Sequence, residues 1–577
     1  MKDGASSRPT SDKDDAKTGS PQPPIRFIVA AIVVSSCVIL AIRTLKGQQP
    51  TESYCNSPDC LRHAEILTAA LNRSLDPCHD FQAYVCSAWK PPTGYLQNSH
   101  SAMEDLLKSW FPAFHDILLR GHRILEVARK PLAMYEYCMG DHSKYGSNAM
   151  RFGDILTKLG LSWPDINQSH QNISAFYVLF TLKFKWNVPL LFDVKVLRLN
   201  YTPRWRFTVV PSSLIPVELK HQRSVARSNR YKYWRSFYDI LPDNASQPPI
   251  SDSDIDAIIN TEAEILSNLS ASMARQAAQP LLVKLAQIGV YTPSITSNEW
   301  LSALRQVKFD PDVSSDDQVL LTDKGFYRTF GRMLQKYTNE QLLMFIAWSF
   351  VQLYAPTADY RLLTARYGDD DALKLYRPFF CARFVESAYG LLVLVVSSLS
   401  RFRPDERAFV NAGFNNLVQT AAIKVNESIW LDVQSRRTAA TKISSAVLHL
   451  WPPDRYLNND ELDRLYNSFP SNATSFFEHW VASTESLTAV SQSQVDADVL
   501  DYPVNYALPY LRFDRPTGTL NVAVGAVTHP LYYGNGTSAM FYGGLGFSMA
   551  LQLVKSLDPY GLQWHPNGTF GGSIFNR

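Results

Sequence analysis

The chain has 577 residues, 46% of them hydrophobic and 12% aromatic, and a formal net charge of +3 with 19% charged residues. This composition excludes extended disorder over most of the length and excludes a charge excess directed at nucleic acid. The length suits several ordinary domains or one large two-lobed enzyme.

The first 24 residues hold one Met and two Ala as their only apolar side chains. They cannot bury enough surface to fold, so residues 1–26 are read as a disordered tail. Next comes "FIVAAIVVSSCVILAI", Phe27 to Ile42, between Arg26 and Arg43. It is a little short of the roughly 20 residues that cross a bilayer, a gap that snorkelling Arg stems close. A cleaved signal peptide is the competing reading, but "RTLKGQQP" offers no small-x-small cleavage site. Five Lys/Arg precede the segment and Arg43 and Lys46 follow it, which predicts a cytosolic N-terminus and an outward-facing remainder. Residues 43–54 read as a stalk.

Beyond the stalk the dominant period is helical. "SPDCLRHAEILTAALNRSLDP" places Leu61, Ile66, Leu67, Ala70 and Leu71 near 3.6 spacing, and Asp76-Pro77 ends it. "PLLFDVKVLRLNYTPRWRFTVVPSS" alternates around Thr202-Pro203 and predicts a hairpin. "RSNRYKYWRSFYD", Arg227 to Asp239, mixes basic and aromatic residues, as a solvated helix face also does. "SDSDIDAIINTEAEILSNLSASMARQ" opens on a Ser/Asp cap. "TNEQLLMFIAWSFVQLYA" and "RFVESAYGLLVLVVSSLS" are apolar on most faces and predict buried helices. The second is too short and too Ser-interrupted for another membrane span.

Ten Asn-x-Ser/Thr sequons, at Asn72, Asn167, Asn172, Asn200, Asn244, Asn268, Asn426, Asn472, Asn535 and Asn567, fit a secretory-pathway surface. Of seven cysteines, Cys37 lies in the apolar segment; Cys55, Cys60, Cys78, Cys86, Cys138 and Cys381 lie beyond it. An oxidising compartment favours pairing, but spacing alone leaves the connectivity open.

Near the end stands "GGLGFSMALQLVKSLDPYG", Gly543 to Gly561. It completes a series of four stretches that resemble the neprilysin family of zinc metallopeptidases. The first, "CNSPDC…DPCHDFQAYVCSAWK" (Cys55 to Lys90), is similar to that family's opening pattern of cysteines, Asp-Pro-Cys and Trp. The second, "SIWLDVQSRRTAATKISSAVLHLWPPD" (Ser428 to Asp454), resembles its Trp-Met-Asp, Thr, Ala, Lys helix. The third, "NVAVGAVTHPLYY" (Asn521 to Tyr533), is a degraded form of its Pro-Ala-Gly strand. The fourth has the double-glycine lead and closing Asp-x-x-Gly of its zinc helix.

The resemblance implies a membrane-anchored, mainly helical ectodomain whose two lobes enclose a cavity, and an activity on extracellular peptides. It also implies zinc, held by three protein ligands with a fourth position for water. Two ligands are histidines four apart on one helix face, with a glutamate beside the first as base. In that frame Leu551 and Lys555 stand at the histidine positions and Gln552 at the base. Leucine has no lone pair, and glutamine cannot take a proton near neutral pH. An ammonium about 4 Å from a dication is repelled by about 8 kcal/mol at an effective dielectric near 20.

The family's third ligand comes from a downstream Glu-x-x-x-Asp helix, but no glutamate follows Glu485 and the chain ends 22 residues after Lys555 (577 − 555). The family's substrate-gripping Asn-Ala-x-Tyr strand is replaced by Tyr510-Leu511-Arg512-Phe513 or, in a shifted register, by Asn505-Tyr506-Ala507. His115 and His122 are about 10.5 Å apart along a helix, too far to share a metal. The expected helix is therefore scaffold, with Met549, Ala550, Leu553, Val554 and Leu557 as its core stripe. No metal and no cofactor are expected.

The resemblance also implies Cys55–Cys60 and Cys138–Cys381 bridges. In relatives the positions of Cys78 and Cys86 pair with cysteines near the C-terminus; here none lies there, so the two pair with each other, or stay free, or the sequence is an incomplete gene product. The expected fold is mainly α with a small β-sheet: a neprilysin-like two-lobed ectodomain, its catalytic lobe incomplete, behind one N-terminal transmembrane helix. Residues 55–480 form the N-terminal peptidase region and 500–577 a partial catalytic region. The expected function is that of a plasma-membrane, single-pass type II pseudopeptidase that binds an extracellular peptide or protein partner and no nucleic acid. The alternative is an active zinc metalloendopeptidase hydrolysing extracellular peptides, or an incomplete fragment of one.

Overall fold

The computed structural model describes residues 55–575 apart from 70, 91–100, 141–145, 165–172, 199–203, 242–249, 275–279, 309–312, 493–501 and 574. The tail, the apolar segment 27–42 and the stalk lie outside the described residues, as do the sequons at Asn167, Asn172, Asn200 and Asn244.

The helices that matter here are, in chain order, α1 (Pro58–Ala69), α2 (Phe81–Cys86), α3 (Ala102–Ile124), α4 (Asp252–Met273), α5 (Asn339–Tyr354), α6 (Asp370–Arg401), α7 (Pro404–Asn426), α8 (Val433–Ser444) and α9 (Leu545–Leu553). Their starts follow capping chemistry. Ser251 Oγ accepts from Asp254 N ahead of α4, and Thr338 with Gln341 closes a capping box ahead of α5. Each satisfies donors that the first helical turn leaves orphaned.

Two sheets accompany the helices, where the alternation of the sequence predicts one. In the larger, of order β1-β2-β4-β3, β1 (Phe192–Arg198) and β2 (Trp205–Pro211) form the expected hairpin with Phe192 opposite Pro211. β4 (Gln318–Leu321) runs parallel to β2, and β3 (Leu281–Lys284) antiparallel to β4. The smaller sheet has order β5-β7-β6, with β5 (Val447–His449) parallel and β6 (Leu511–Asp514) antiparallel to β7 (Thr519–Val522). Its strands of three and four residues are too short to print a period-2 signature.

One continuous core runs through the described residues. Its centre is α6, which packs on α3 and is buried over most of its apolar length. The Cys138–Cys381 disulfide joins the helix Arg129–Met139 to α6 across 243 residues, with both cysteines inside the core. The helix Arg230–Ile240 buries Tyr233, Trp234 and Phe237 and pairs Arg230 with Asp256 and Arg235 with Asp252, so its basic residues line a solvated face. α1 departs from its sequence pattern: Leu61, Ile66 and Leu67 are 62%, 41% and 56% exposed, with no element among the described residues covering that stripe.

Candidate functional site

The four motif stretches, far apart in sequence, converge on one region. Glycine makes the approach possible. A Cβ on Gly544 would lie 2.4 Å from Leu531 O, and the next amide, Leu545 N, donates to that same carbonyl at 2.8 Å. The "THPLYY" turn thus fixes where α9 begins. At the other end, a Cβ on Gly561 would lie 2.3 Å from Lys555 O, so only glycine lets the chain fold back there.

Asp558, first residue of the Asp-x-x-Gly, organises this return. Its Oδ1 accepts from Gly561 N at 2.6 Å and Tyr560 N at 3.1 Å, and Arg515 grips the carboxylate with Nε at 3.1 Å and with Nη2. Burial acts to raise the Asp558 pKa, but the Arg515 guanidinium and the backbone amides hold it below the usual carboxylate range.

Lys442 of α8 links the second stretch to the fourth. Its buried Nζ donates to Gly561 O and Trp564 O. Burial lowers its pKa to about 8, against the opposing pull of Asp558. Arg206, buried in β2, donates to Gly568 O at 2.9 Å and lies over the Trp564 ring, 5.5 Å from its centroid. The first stretch arrives through α1: Asp59 Oδ2 accepts from Asn535 N at 2.8 Å, and His63 Nδ1 meets Tyr533 OH at 3.0 Å. Sequence inspection missed these clamps. Their one legible trace is a lysine among small residues in "TAATKISS", since a lone lysine normally signals a wet surface.

α9 is seated by Leu545, Met549 and Leu553, spaced i, i+4, i+8 and all but inaccessible. Its opposite face, Phe547, Leu551 and Val554, is 60%, 57% and 66% exposed. Val554 therefore leaves the expected core stripe. At i+7 from Phe547 and i+3 from Leu551 it shares their outward face by helical spacing, and the α-helix itself ends at Leu553 with a 3-10 turn over Val554–Ser556. Ala550 and Leu557 are half-buried.

The three positions of the zinc frame do not fit a metal. Leu551 presents carbon to solvent. Gln552 Oε1 accepts from Lys555 Nζ at 2.8 Å, so these two residues spend their polar atoms on each other. Burial, then the charge of Arg515 with a smaller part from Arg512, pushes the Lys555 pKa down while Asp558 opposes it. Three cations beside one carboxylate make the locality unfavourable for a dication. Among the described residues no group of three or more His, Cys, Asp or Glu gathers as a metal site. Tyr510 is buried, Leu511–Asp514 form β6, and Arg512 opposite Asn521 points to solvent. Asn505, of the alternative register, is buried: its backbone N and Nδ2 donate to Glu386 at 2.8 and 3.3 Å, and its Oδ1 accepts from Gly525 N at 2.7 Å.

The structure bridges Cys55 to Cys60 and Cys138 to Cys381, while Cys78 and Cys86 carry exposed thiols. Of the described sequons, Asn268, Asn426, Asn472, Asn535 and Asn567 are exposed and Asn72 is half-buried.

Neprilysin-1 of Trittame loki is 21% identical over 94% of this chain and 78% of its own length. Human endothelin-converting enzyme 1 is 18% identical over 94% and 72%. Among solved structures, the galactose-containing glycoprotein complex of Haemonchus matches with a TM-score of 0.59 at 14% identity, covering 90% of this chain and 77% of that one. A zinc metalloprotease of Mycobacterium tuberculosis in complex with an inhibitor matches at 0.57 and 14%, covering 89% and 77%. These structures share the fold. The model of peptidase family M13 matches residues 77–451, more than half the chain, and with the neprilysin-like helix frame in place the chain belongs to that family of metallopeptidases.

Proposed function

We propose that this chain is a membrane-anchored member of the family that does not hydrolyse peptides and instead binds an extracellular peptide or protein. The Lys555–Gln552 hydrogen bond carries the reading. At the positions where hydrolysis needs an imidazole and a proton acceptor, an ammonium and an amide are joined at 2.8 Å, and the first ligand position is an exposed leucine. Neither a polarised water nor a base to deprotonate it can be assembled from those side chains.

Anchoring and outward orientation are supported by the Arg26- and Arg43-flanked apolar run and the charge bias around it. Glycosylation is supported by the five described sequons whose asparagines face solvent.

The test is zinc analysis of the purified full chain together with a cleavage assay on neprilysin-type peptides. The expected result is far less than one zinc per chain and no chelator-sensitive cleavage. Chelator-sensitive cleavage by the natural sequence overturns the reading. The triple variant Leu551→His, Gln552→Glu, Lys555→His is expected to gain weak metal binding but little activity, because two imidazoles without a third described donor leave the site open.

A further inference from the structure

We infer that the outer face of the helix Lys324–Lys336 is a docking surface for a sulfated glycosaminoglycan chain. The inference rests on the outward-facing reading above, which puts the helix on the side of the membrane where such polymers occur.

The helix reads KGFYRTFGRMLQK and holds Lys324, Arg328, Arg332 and Lys336 with no Asp or Glu. Its formal charge of +4 exceeds the +3 of the whole chain. Its inner side is fixed. Asp323 caps the start, its carboxylate accepting from Gly325 N and Phe326 N at 2.8 and 3.3 Å. Phe326, Tyr327, Phe330 and Met333 are buried in the core. At Gly331 the helix lies directly on the chain, where a Cβ would come 2.5 Å from Pro293 O. A helix seated this firmly holds its opposite side in one orientation.

On that side the four cations recur every fourth residue. Each step advances about 6 Å and turns about 40° past a full turn, so they form a slowly winding row about 18 Å long. Arg328, Arg332 and Lys336 are exposed, and Lys324 is half-buried. The ends of the row are engaged: Lys324 Nζ lies 5.4 Å from the Tyr291 ring centroid, and Lys336 pairs with Glu264. Arg328 and Arg332, at its centre, have neither a hydrogen bond nor an ion pair among the described residues.

A solvated helix face does not call for this pattern. Like charges four residues apart work against a helix, and three such pairs follow one another here. A row of one sign is instead complementary to a linear polyanion, whose charges repeat along its length as these do. A lipid surface fits less well. None of the exposed large apolar side chains belongs to this helix, whereas a helix lying in a membrane interface buries an apolar row there. Anionic lipid is also concentrated in the cytoplasmic leaflet, away from an outward-facing domain. Sulfate suits the central arginines, because a guanidinium presents paired N–H donors to two oxygens of one tetrahedral anion.

The test is retention of the purified full chain on immobilised heparin, with the glycosidase mobility shift measured on the same preparation. The expected result is elution only above about 0.15 M salt, the physiological ionic strength, with affinity falling steeply as salt rises. The Arg328→Gln, Arg332→Gln double variant should bind about ten-fold more weakly and flatten the logarithmic salt dependence by about one unit per cation removed. Its melting temperature should not fall, since both side chains are exposed. Lys220→Gln, Arg223→Gln removes the same charge from exposed positions on another helix and should bind as the natural chain does.

A glycosylated chain that elutes below about 0.15 M salt overturns this inference alone. So does an Arg328, Arg332 variant that binds as the natural chain does, or an equal loss in the two double variants. Tighter binding to vesicles containing phosphatidylserine than to heparin assigns the face to a membrane and overturns it as well. A chain whose mobility glycosidase leaves unchanged overturns the outward-facing reading, and the partner named here with it.

Discussion

Two polar systems in this molecule contrast sharply. The first lies deep beneath α4 and α5. Arg366 donates to both oxygens of Glu218 at 2.7 and 3.0 Å, and Glu262 accepts from Gln352 at 2.7 Å and from Trp348 at 3.3 Å. Tyr233 OH joins Gln352 Oε1 to His221, each at 3.1 Å. The second is the zinc frame on α9, where the first ligand position is an exposed leucine and the other two positions bond to each other. Burial explains the difference. A charge removed from water must keep its partners or the fold pays several kcal/mol, whereas an exposed helix face can exchange imidazole for leucine at almost no cost to stability. Scaffold and chemistry are thus separable in this fold, and the scaffold rests on the first system.

Arg366→Ala is the hardest test of that separation. It leaves the Glu218 carboxylate buried and unpaired, and is expected to cost about 3–5 kcal/mol in denaturant unfolding. A loss below about 1 kcal/mol, as for a surface pair, would erase the contrast. Met549→Ala comes next. Met549 is fully buried on the inner face of α9, and its truncation is expected to cost about 2–5 kcal/mol, showing that the helix still serves the core.

Lys442→Met keeps the volume and removes the donor to Gly561 O and Trp564 O. The expected loss is about 1–3 kcal/mol, concentrated at the end of the chain. Limited proteolysis should therefore cut after residue 561 in the variant well before it cuts the natural chain. Equal protection would mean that Arg206 and the Arg515–Asp558 pair suffice to hold that segment.

The pH dependence sharpens the comparison from the buried side. Burial, with the Glu218 charge adding to it, raises the Glu262 pKa from 4.5 to about 7. The folded state therefore binds a proton there that the unfolded chain has released. That contribution to stability is present below pH 4.5 and is lost as pH rises through about 7. His221 runs the other way: burial, then Arg366, lowers it from 6.5 to about 3, so its contribution is present above 6.5 and is lost as pH falls toward 3. Melting temperatures of Glu262→Gln should lose the decline between pH 4.5 and 7 and keep the acid limb. An unchanged profile would assign the decline to Glu386, which burial also raises to about 7.

Much of the fold was legible because local chemistry and fold agree: Ser251 caps the helix its position predicts, the apolar stretch after Thr338 forms a buried helix, and the alternation about Thr202-Pro203 gives the β1–β2 hairpin. The glycine frame of α9 was legible too, since Gly544 and Gly561 answer to backbone contacts that tolerate no side chain. Other features depend on distant partners and leave no periodic trace. The pattern of α1 reads as an amphipathic helix, but no element among the described residues covers Leu61 and Leu67. Val554 lies at i+7 from Phe547, opposite the Leu545–Met549–Leu553 stripe, so its apolar character and not its spacing is what suggested the core. Lys442 stands out only as a lysine among small residues, and its role is not legible because its acceptors are carbonyls more than a hundred residues away.

The smallest expected effect is at the zinc frame itself. Leu551→Ala removes three carbons from a side chain that is already 57% exposed, so it opens no cavity and leaves no polar atom unpaired. Its effect on stability is expected to stay within about 0.5 kcal/mol, against the several lost at Met549 two residues earlier on the same helix. The pair isolates one variable: helix, neighbours and side-chain class are shared, and only the direction faced differs. If Leu551→Ala instead cost as much as Met549→Ala in the full chain, its exposed face would have to be covered in solution. That face would then be an interface, and the partner would be sought on α9 itself.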